Sequence, residues 1–329
     1  MVSSLRVNHF LAGLIFATAF AWPGVAPAWE AAAEDDEAHV RHESSFVEAG
    51  GKFYLLGGRR IQPVDIFDPA SGEWTSGSPP PIELHHFQAV SHGGLVYIIG
   101  AMTGKYPGET PTEHIHIYDP ASDQWRRGAT IPEDRRRGSA GVVVHEGAFY
   151  IVAGIRNGHR SGWVPWLDRY DPASSKWQVL PDAPRARDHF HAAVANGSLY
   201  AAGGRRSGSS RPVFAGEVAE VDVYEFSTRS WNTLPASSNL PTLRAGTLVS
   251  VIDERLIVMG GESAGQKPAH GEVEALDPVT LKWDSLPSLL TPRHGAQALQ
   301  WNGAVWIAGG SGNRGGGPEL VSLERWLLD

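Results

Sequence analysis

The amino-acid sequence predicts an all-β protein, a six-bladed β-propeller that occupies residues 29–329. One observation behind this prediction is a short strand ending in small residues, which occurs six times at spacings of 43 to 57 residues. A second observation is a hairpin motif with a closing tryptophan, which follows five of these six strands. Internal repetition at such a period indicates an array of similar units rather than one ordinary core.

The strand motif has an aromatic or aliphatic residue, two further apolar residues and then two small residues, usually both glycine. Glycine allows positive φ angles and lets a neighbouring backbone approach closely, as a crowded inner strand requires. Six copies in the same register predict six blades. The copies are residues 54–58, 97–101, 150–154, 200–204, 257–261 and 306–310.

The hairpin motif joins two strands through a turn that usually contains Asp-Pro. The acidic side chain can cap the turn, while proline fixes its own φ and withholds a donor. The five copies are residues 67–74, 118–125, 170–177, 224–231 and 276–283. Each copy ends in a tryptophan that opens the next strand: Trp74, Trp125, Trp177, Trp231 and Trp283.

Together the two motifs resemble the kelch repeat, over essentially all of residues 29–329. Kelch repeats also carry an arginine 13 positions before the residue that opens the strand motif. The resemblance implies that this arginine has a structural role. The matching residues are Arg41, Arg137, Arg187, Arg244 and Arg293, and Leu84 is the one departure.

The sixth repeat is incomplete at the end of the chain. Aligning Leu323 with Leu276 places its tryptophan one position past residue 329. Trp29, however, precedes Arg41 by 12 residues, just as Trp125 precedes Arg137. We therefore expect residues 29–40 to supply the outer strand of the last blade and to close the ring, which removes its free edges. A three-stranded last blade with a loose acidic N-terminal segment is the alternative.

Residues 1–28 have the pattern of a secretory signal peptide. Arg6 precedes an apolar run over residues 10–21, and Ala26-Pro27-Ala28 offers a cleavage site. The run is shorter than the roughly 20 residues that span a bilayer, so no stable membrane span is expected after cleavage. The prediction is a periplasmic or extracellular protein. With no cysteine in the chain, its core must hold the fold without disulfides.

Composition excludes some classes of function. The chain has 28 basic and 36 acidic residues, a net charge of −8, so nucleic-acid binding is not expected. Galactose oxidase, the best-known kelch enzyme, needs a cysteine crosslinked to a copper ligand, and this chain has none. We expect no cofactor and no metal. The pairs His114 with His116 and His189 with His191 each share a strand face, but no third ligand accompanies them.

The resemblance also implies where a ligand would bind. In kelch propellers with known ligands, two repeat positions face one mouth of the central channel: the residue after the double glycine and the residue two past the structural arginine. The first set is Arg59, Met102, Ile155, Arg205, Glu262 and Ser311. The second set is Glu43, His86, Ser139, His189, Gly246 and Gly295.

These positions predict a non-catalytic binding or interaction module whose partner is a protein or a carbohydrate. We expect an anionic sugar or an acidic peptide, because arginine forks favour carboxylates. Arg59 and Arg205 are the main candidates and are expected to border solvent; Glu43, His86, Ser139, His189, Glu262 and Ser311 complete the set. Tyr106, Trp163, Trp166 and Phe214 either stack on a sugar or pack their own loops.

A carbohydrate mutarotase or epimerase is the alternative function. The exported sialic-acid mutarotases are six-bladed kelch propellers that use a glutamate after a glycine as base, with an arginine six residues on. Glu262 matches the glutamate and would be the catalytic residue, whereas Pro268 stands at the arginine position, with Lys267 beside it. Lysine cannot replace the bidentate recognition that arginine provides.

Overall fold

The computed structural model describes residues 29–32, 38–208 and 212–328. These residues form six four-stranded antiparallel sheets, arranged as the blades of a propeller, which confirms the predicted fold. The predicted signal peptide, residues 1–28, lies outside the described residues. Within the described ranges, no helix has the length and apolar character needed to cross a membrane.

Each blade runs from an inner strand at the propeller axis to an outer strand. Strand β1 (Trp29–Ala31) comes first in the chain and belongs to blade 6. Blade 1 consists of β2 (Ser44–Ala49), β3 (Lys52–Gly57), β4 (Val64–Asp68) and β5 (Glu73–Gly77). Blade 2 consists of β6 (Val90–His92), β7 (Leu95–Ile98), β10 (His114–Asp119) and β11 (Gln124–Thr130). Blade 3 consists of β12 (Gly141–His145), β13 (Ala148–Val152), β16 (Leu167–Asp171) and β17 (Lys176–Leu180).

The remaining blades repeat the pattern. Blade 4 consists of β18 (Ala192–Ala195), β19 (Ser198–Ala201), β20 (Asp222–Glu225) and β21 (Ser230–Thr233). Blade 5 consists of β22 (Leu248–Ile252), β23 (Arg255–Met259), β24 (Val273–Asp277) and β25 (Lys282–Leu286). Blade 6 consists of β26 (Ala298–Trp301), β27 (Ala304–Ala308), β28 (Leu323–Leu327) and β1.

Two small ribbons rise from the loops of blades 2 and 3, and two short 3-10 helices lie between blades. The ribbons pair β8 (Met102–Thr103) with β9 (Thr110–Pro111), and β14 (Ile155–Asn157) with β15 (Ser161–Trp163). The 3-10 helices are Glu133–Arg135 and Ala236–Ser238. Both ribbons lie on the side of the propeller that carries the candidate site, because their strands follow directly after the small residues of the strand motif.

The hydrophobic core is divided among the interfaces between neighbouring blades. Tyr97 and Ile117 of blade 2, for example, pack with Val142 and Phe149 of blade 3. Both faces of each sheet are therefore buried, which explains the continuous apolar runs in strands such as residues 96–99. Apolar burial between blades is the main force that holds the ring together.

The structural arginines fasten each blade internally. The guanidinium of Arg187 is fully buried, and its Nη1 donates to the carbonyl of Gly203, the first glycine of the strand motif, over 2.9 Å. Its Nη2 donates to Asp222 over 2.7 Å, two residues before the hairpin aromatic. The same two contacts recur in four other blades. The buried acidic partners are Asp65, Asp168, Asp222, Glu274 and Glu324.

In blade 2 both members of the buried ion pair are replaced: Leu84 stands at the arginine position, and the carboxylate position also carries a different residue. Leu84 is fully buried among Phe87, Val96 and Ile98. His116 stands where the other blades have a carboxylate, and burial lowers its pKa to about 4. A neutral histidine needs no buried cation as partner, so the sequence departure at residue 84 is matched by a second one at residue 116.

The double glycines join each blade to the next. The second glycine of the motif donates its N–H to the carbonyl of the arginine position in the following blade, as Gly204 does to Arg244 over 3.0 Å. In blade 5 the first glycine has no room for a side chain: a Cβ at Gly260, which has a φ of +56°, would lie 2.3 Å from the carbonyl oxygen of Arg293. Gly310 donates to Arg41 over 2.8 Å, so the same bond links the last blade to the first.

The last blade takes its outer strand from the N-terminus, since β1 pairs antiparallel with β28. Trp29 lies opposite Trp326, in the register that Trp283 and Leu276 have in blade 5. The alignment of Leu323 with Leu276 is therefore wrong by three residues, because Trp326 is the true counterpart of Leu276. The absence of Asp-Pro after Trp326 hid this register. Residues 33–37, part of the predicted closing segment, lie outside the described residues.

Trp29 also makes the hydrogen bond that marks the outer tryptophans. Its indole N–H donates to Pro287 of the preceding blade over 3.2 Å. Trp125 and Trp231 donate in the same way, each over 2.8 Å, to Ser78 and Pro181. The N-terminal segment thus supplies both the edge strand and the interblade contact of a complete repeat.

Candidate functional site

A ring of six residues surrounds the propeller axis at the start of the inner strands. All six have a left-handed backbone, with φ between 51° and 63°. They are the second predicted set: Glu43, His86, Ser139, His189, Gly246 and Gly295. Two of them are glycines, which adopt this conformation without strain, while the other four place side chains at the axis.

Backbone hydrogen bonds connect this ring from blade to blade. His86 donates to the carbonyl of Glu43 over 3.0 Å, Ser139 to His86 over 2.9 Å and His189 to Ser139 over 3.2 Å. Gly246 and Gly295 continue the series, and Ser44 donates back to Gly295 over 3.2 Å. The space within the ring is only about 20 Å³, room for roughly one water.

Glutamine side chains close the channel beneath the ring. The amide oxygen of Gln88 accepts from the backbone N–H groups of Val142 and Ala192, each over 2.9 Å, and so crosses between three blades. Gln297 makes a similar bridge to Ala89. The ring is consequently the floor of a pocket at the mouth.

The residues that follow the double glycines, the first predicted set, lie beside the ring. Their side chains do not share one environment. Met102 and Ile155 are buried apolar residues, and Ser311 donates to the backbone carbonyl of Asn313. Arg59 and Arg205 each bind a carboxylate. Arg59 donates to Glu109 over 2.8 Å and is 19% exposed, which places its guanidinium on the pocket wall.

Arg205 does not border solvent as the sequence led us to expect; its side chain is 2% exposed. Its Nη1 donates to Glu262 over 2.5 Å, its Nε donates to Ser207 over 3.0 Å, and the ring of Phe214 lies 5.4 Å from its guanidinium carbon. The expectation was wrong because sequence alone did not pair Arg205 with Glu262, which comes from the next blade. Replacement of Arg205 would leave Glu262 buried without its partner.

Glu262 is held as a carboxylate by its neighbours. Burial alone would raise its pKa, but nearby His294 and Arg205 and a hydrogen bond from the N–H of Gly315 lower it to about 2. Glu43 is in a similar position, since burial opposes the carboxylate while His294 and His189 lower its pKa. Both candidate carboxylates are thus ionised at neutral pH.

A pocket of about 380 Å³ opens above the ring. Two loop aromatics border it: Tyr106, which is 55% exposed and packs edge-on against His159, and Phe214. The other two loop aromatics pack near loop arginines, Trp166 against Arg135 and Trp163 against Arg206. Of the four aromatics that sequence singled out, Tyr106 and Phe214 are placed to touch a ligand.

In each of the two histidine pairs noted in the sequence, the two side chains lie in different surroundings and do not form a shared site. A β-bulge separates His114 from His116, and His114 bonds to Thr130 over 3.2 Å. His191 borders the narrow channel at the ring. His189 instead meets His86 and a histidine that sequence did not single out, His159, whose Nε2 lies 2.9 Å from the Nε2 of His189.

Comparison with known families supports the assignment of the repeat. Residues 84–132 and 136–184 each match the Kelch motif, and residues 170–322 match the KLHDC2/KLHL20/DRC7 Kelch-repeats domain. The chain belongs to the kelch-repeat β-propeller family. In this kelch propeller the matched segments extend from blade 2 into blade 6.

Relatives of the kelch propeller are longer proteins. It is 28% identical over 292 residues to "Kelch-like protein terF" of Aspergillus terreus, covering 83% of this chain and 61% of that protein. It is 30% identical over 162 residues to "Kelch-like protein 40" of Xenopus laevis, covering 49% of this chain and 25% of that protein. The chain thus spans less than two thirds of either. The solved "Structure of YjhT" has a TM-score of 0.72 at 16% identity, covers 87% of this chain and 94% of its own, and shows the likeness of fold.

Several residues of the kelch propeller's mouth were missed in the sequence. Asp188 and His294 each follow a structural arginine directly, so the repeat register could have found them. Glu109 lies between strands β8 and β9 of the blade 2 ribbon, and His159 lies between strands β14 and β15 of the blade 3 ribbon. Neither residue occupies a position that repeats from blade to blade. Only the folded ring shows that these loops meet, where the carboxylate of Glu109 accepts from Nδ1 of His159 over 3.0 Å.

Proposed function

We propose that this kelch propeller is a non-catalytic binding module whose mouth pocket takes a small sugar that bears a carboxylate. A kelch propeller is in general an interaction module. The observation that carries the finer proposal is the position of Arg59, a partly exposed guanidinium on the wall of a pocket that Tyr106 and Phe214 also line. A volume of about 380 Å³ lies within the usual range for small-ligand sites.

The lining supplies the contacts that a sugar acid needs. Arg59 can donate to a carboxylate as a charged fork. The aromatic faces of Tyr106 and Phe214 suit the apolar faces of a sugar ring, while the carboxylate of Glu43 can accept hydrogen bonds from its hydroxyl groups. An acidic peptide would place one side chain in this volume and leave the rest outside, so the pocket favours the sugar.

Binding should be measured by calorimetry with N-acetylneuraminate, glucuronate and galacturonate, and with galactose as the neutral comparison. We expect an acidic sugar to bind more tightly than galactose. Arg59→Ala should weaken its binding by about 1.5–3 kcal/mol, the usual loss for a charged hydrogen bond. Arg325→Ala is the matched control, because Arg325 bonds to Glu30 on the surface of blade 6, outside the pocket lining, and should leave affinity unchanged.

The proposal fails if no acidic sugar binds, or if Arg59→Ala binds the sugar as well as the parent protein does. Tight binding of an acidic peptide without any sugar binding would assign the pocket to the other predicted ligand class. Equal affinity for galactose and the sugar acids would show that the carboxylate is not what the pocket recognises.

The surroundings of Glu262 do not favour the alternative function, a mutarotase. Glu262 would be its base, but Oε1 of this carboxylate is bound to Arg205 and its pKa is about 2. Such a group has little tendency to take up a proton at neutral pH, whereas an effective base has a pKa near the working pH. We therefore propose a binding function and assign Glu262 to positioning Arg205.

We propose further that the protein is exported, on the basis of the N-terminal pattern over residues 1–28. Cleavage after Ala28 would leave Trp29, the outer tryptophan of blade 6, as the first residue. N-terminal sequencing of the exported protein should begin at Trp29. A start well before Ala28, or retention of the whole chain in the cytoplasm, would contradict the proposal.

A further inference from the structure

We propose that His86, His159 and His189 bind a divalent transition-metal ion at the floor of the mouth pocket. One ligand nitrogen from each of the three imidazoles lies within 4.8 Å of the others. The three rings come from different parts of the chain: His86 and His189 belong to the six-residue ring, and His159 lies in the ribbon loop of blade 3. The inference does not rest on the proposed sugar.

The hydrogen bonds around the rings fix their tautomers. Nδ1 of His159 lies 3.0 Å from the carboxylate of Glu109, and Nδ1 of His189 bonds to the carboxylate of Asp188. An ionised carboxylate only accepts hydrogen bonds, so both Nδ1 atoms carry the proton. In a neutral imidazole the other nitrogen, Nε2, is then left with a lone pair.

His86 reaches the same state through a second histidine. Nε2 of His85 lies 3.1 Å from the carbonyl oxygen of Gly104, so it is the donor there. In a neutral imidazole the other nitrogen, Nδ1 of His85, is then an acceptor. Nδ1 of His86, at 2.6 Å, must therefore donate to it, which leaves on Nε2 of His86 a lone pair that faces Nη2 of Arg59 at 3.5 Å.

These tautomers aim lone pairs at one another. The Nε2 atoms of His159 and His189 are 2.9 Å apart, and two lone pairs at that distance repel unless both nitrogens bind one cation, either a shared proton or a metal ion. Imidazoles that bind metals are commonly oriented in this way, with the second ring nitrogen donating to a carboxylate or other acceptor.

The charges that touch the three rings match a divalent ion. Carboxylates contact each ring: Glu43 lies 3.4 Å from His86, Glu109 bonds to His159 and Asp188 bonds to His189. Arg59, 3.5 Å from Nε2 of His86, is a positive charge beside the same group, and Arg205, whose charge also acts on His189, is paired with Glu262. Three negative charges and one positive charge leave a balance of two negative charges around the three imidazoles.

Three imidazoles suit Zn²⁺, Cu²⁺ or Ni²⁺ better than Mg²⁺ or Ca²⁺, which prefer oxygen ligands. Three protein ligands also leave a coordination position open. His86 and His159 border the pocket of about 380 Å³, so this position faces the pocket and can take an oxygen atom from solvent or a ligand. The expectation from sequence that no metal binds missed this group because His159 has no place in the repeat.

Titration of the full mature chain, dialysed against EDTA, with Zn²⁺ and Co²⁺ will test the site. We expect one equivalent to bind, with the visible absorption of Co²⁺ in a low-coordinate nitrogen site. His159→Ala should lower Zn²⁺ affinity by at least about 100-fold, since it removes a direct ligand rather than an outer partner. His114→Ala is the matched control and should bind Zn²⁺ normally, because His114 bonds to Thr130 outside the cluster.

A second variant guards against a folding defect. His86→Asn keeps a residue that tolerates the left-handed backbone and should also lose Zn²⁺ affinity, while circular dichroism confirms that both variants fold. The proposal is overturned if the parent chain binds neither ion stoichiometrically. It is equally overturned if folded His159→Ala and His86→Asn bind Zn²⁺ as the parent does; a shared proton would then lie between His159 and His189.

Discussion

Replacing Arg187 by alanine should lower the free energy of unfolding by about 3–5 kcal/mol, the cost of breaking a buried ion pair by removing one partner. Arg187 is fully buried and binds Asp222, which is also fully buried. The substitution would remove a positive charge that neutralises the carboxylate of Asp222. It would also leave the carbonyl oxygens of Gly203 and Glu220 without the hydrogen bonds that Arg187 donates. Denaturant unfolding followed by circular dichroism will measure the loss.

Arg185→Ala is the matched control for this prediction. Arg185 binds the same carboxylate over 2.7 Å, but its side chain is 32% exposed, so water can replace it. We expect its loss to cost about 1 kcal/mol or less, as for exposed ion pairs. Equal effects of the two substitutions would show that the burial of Arg187 does not matter to the blade.

The sequence predicted the blades well because the repeat encodes them redundantly. Six strand motifs and five hairpins agree on one period, and in five blades the arginine position identifies the residue that ties the end of the strand motif to a buried acid. The Leu84 departure was visible in the sequence. Its compensation by His116 was not, since only the strand register places the two at equivalent positions.

The candidate site was predicted less completely, for a physical reason. Repeat positions converge because the blades are radial, and this brought Glu43, His86 and His189 onto one ring. Side-chain pairing within that ring depends on neighbouring blades, so the burial of Arg205 against Glu262 did not follow from the residue types. His159 belongs to a loop, and loops do not share the period of the blades.

Removal of β1 from a chain of residues 29–329 should destabilise the whole propeller. The side chain of Trp29 is buried in the interface between blades 5 and 6, against Trp326 at a ring distance of 5.8 Å. Trp29→Ala should cost about 3–5 kcal/mol, the usual range for a buried tryptophan. A chain that begins at residue 33 should lose at least as much, because it also exposes the backbone of β28 as a free edge.

Glu30→Ala is the control for this last prediction. Glu30 lies in the same strand, but its side chain is exposed and bonds to Arg325 on the surface, so its loss should change stability by less than about 0.5 kcal/mol. Thermal unfolding of the four chains will separate the outcomes. If the chain that begins at residue 33 has the same melting temperature as the chain of residues 29–329, the Gly310–Arg41 contact and the blade interfaces close the ring alone, and β1 adds no stability to blade 6. If Trp29→Ala alone reproduces the loss, the interblade side chain holds the ring, and the backbone pairing of β1 serves to place it.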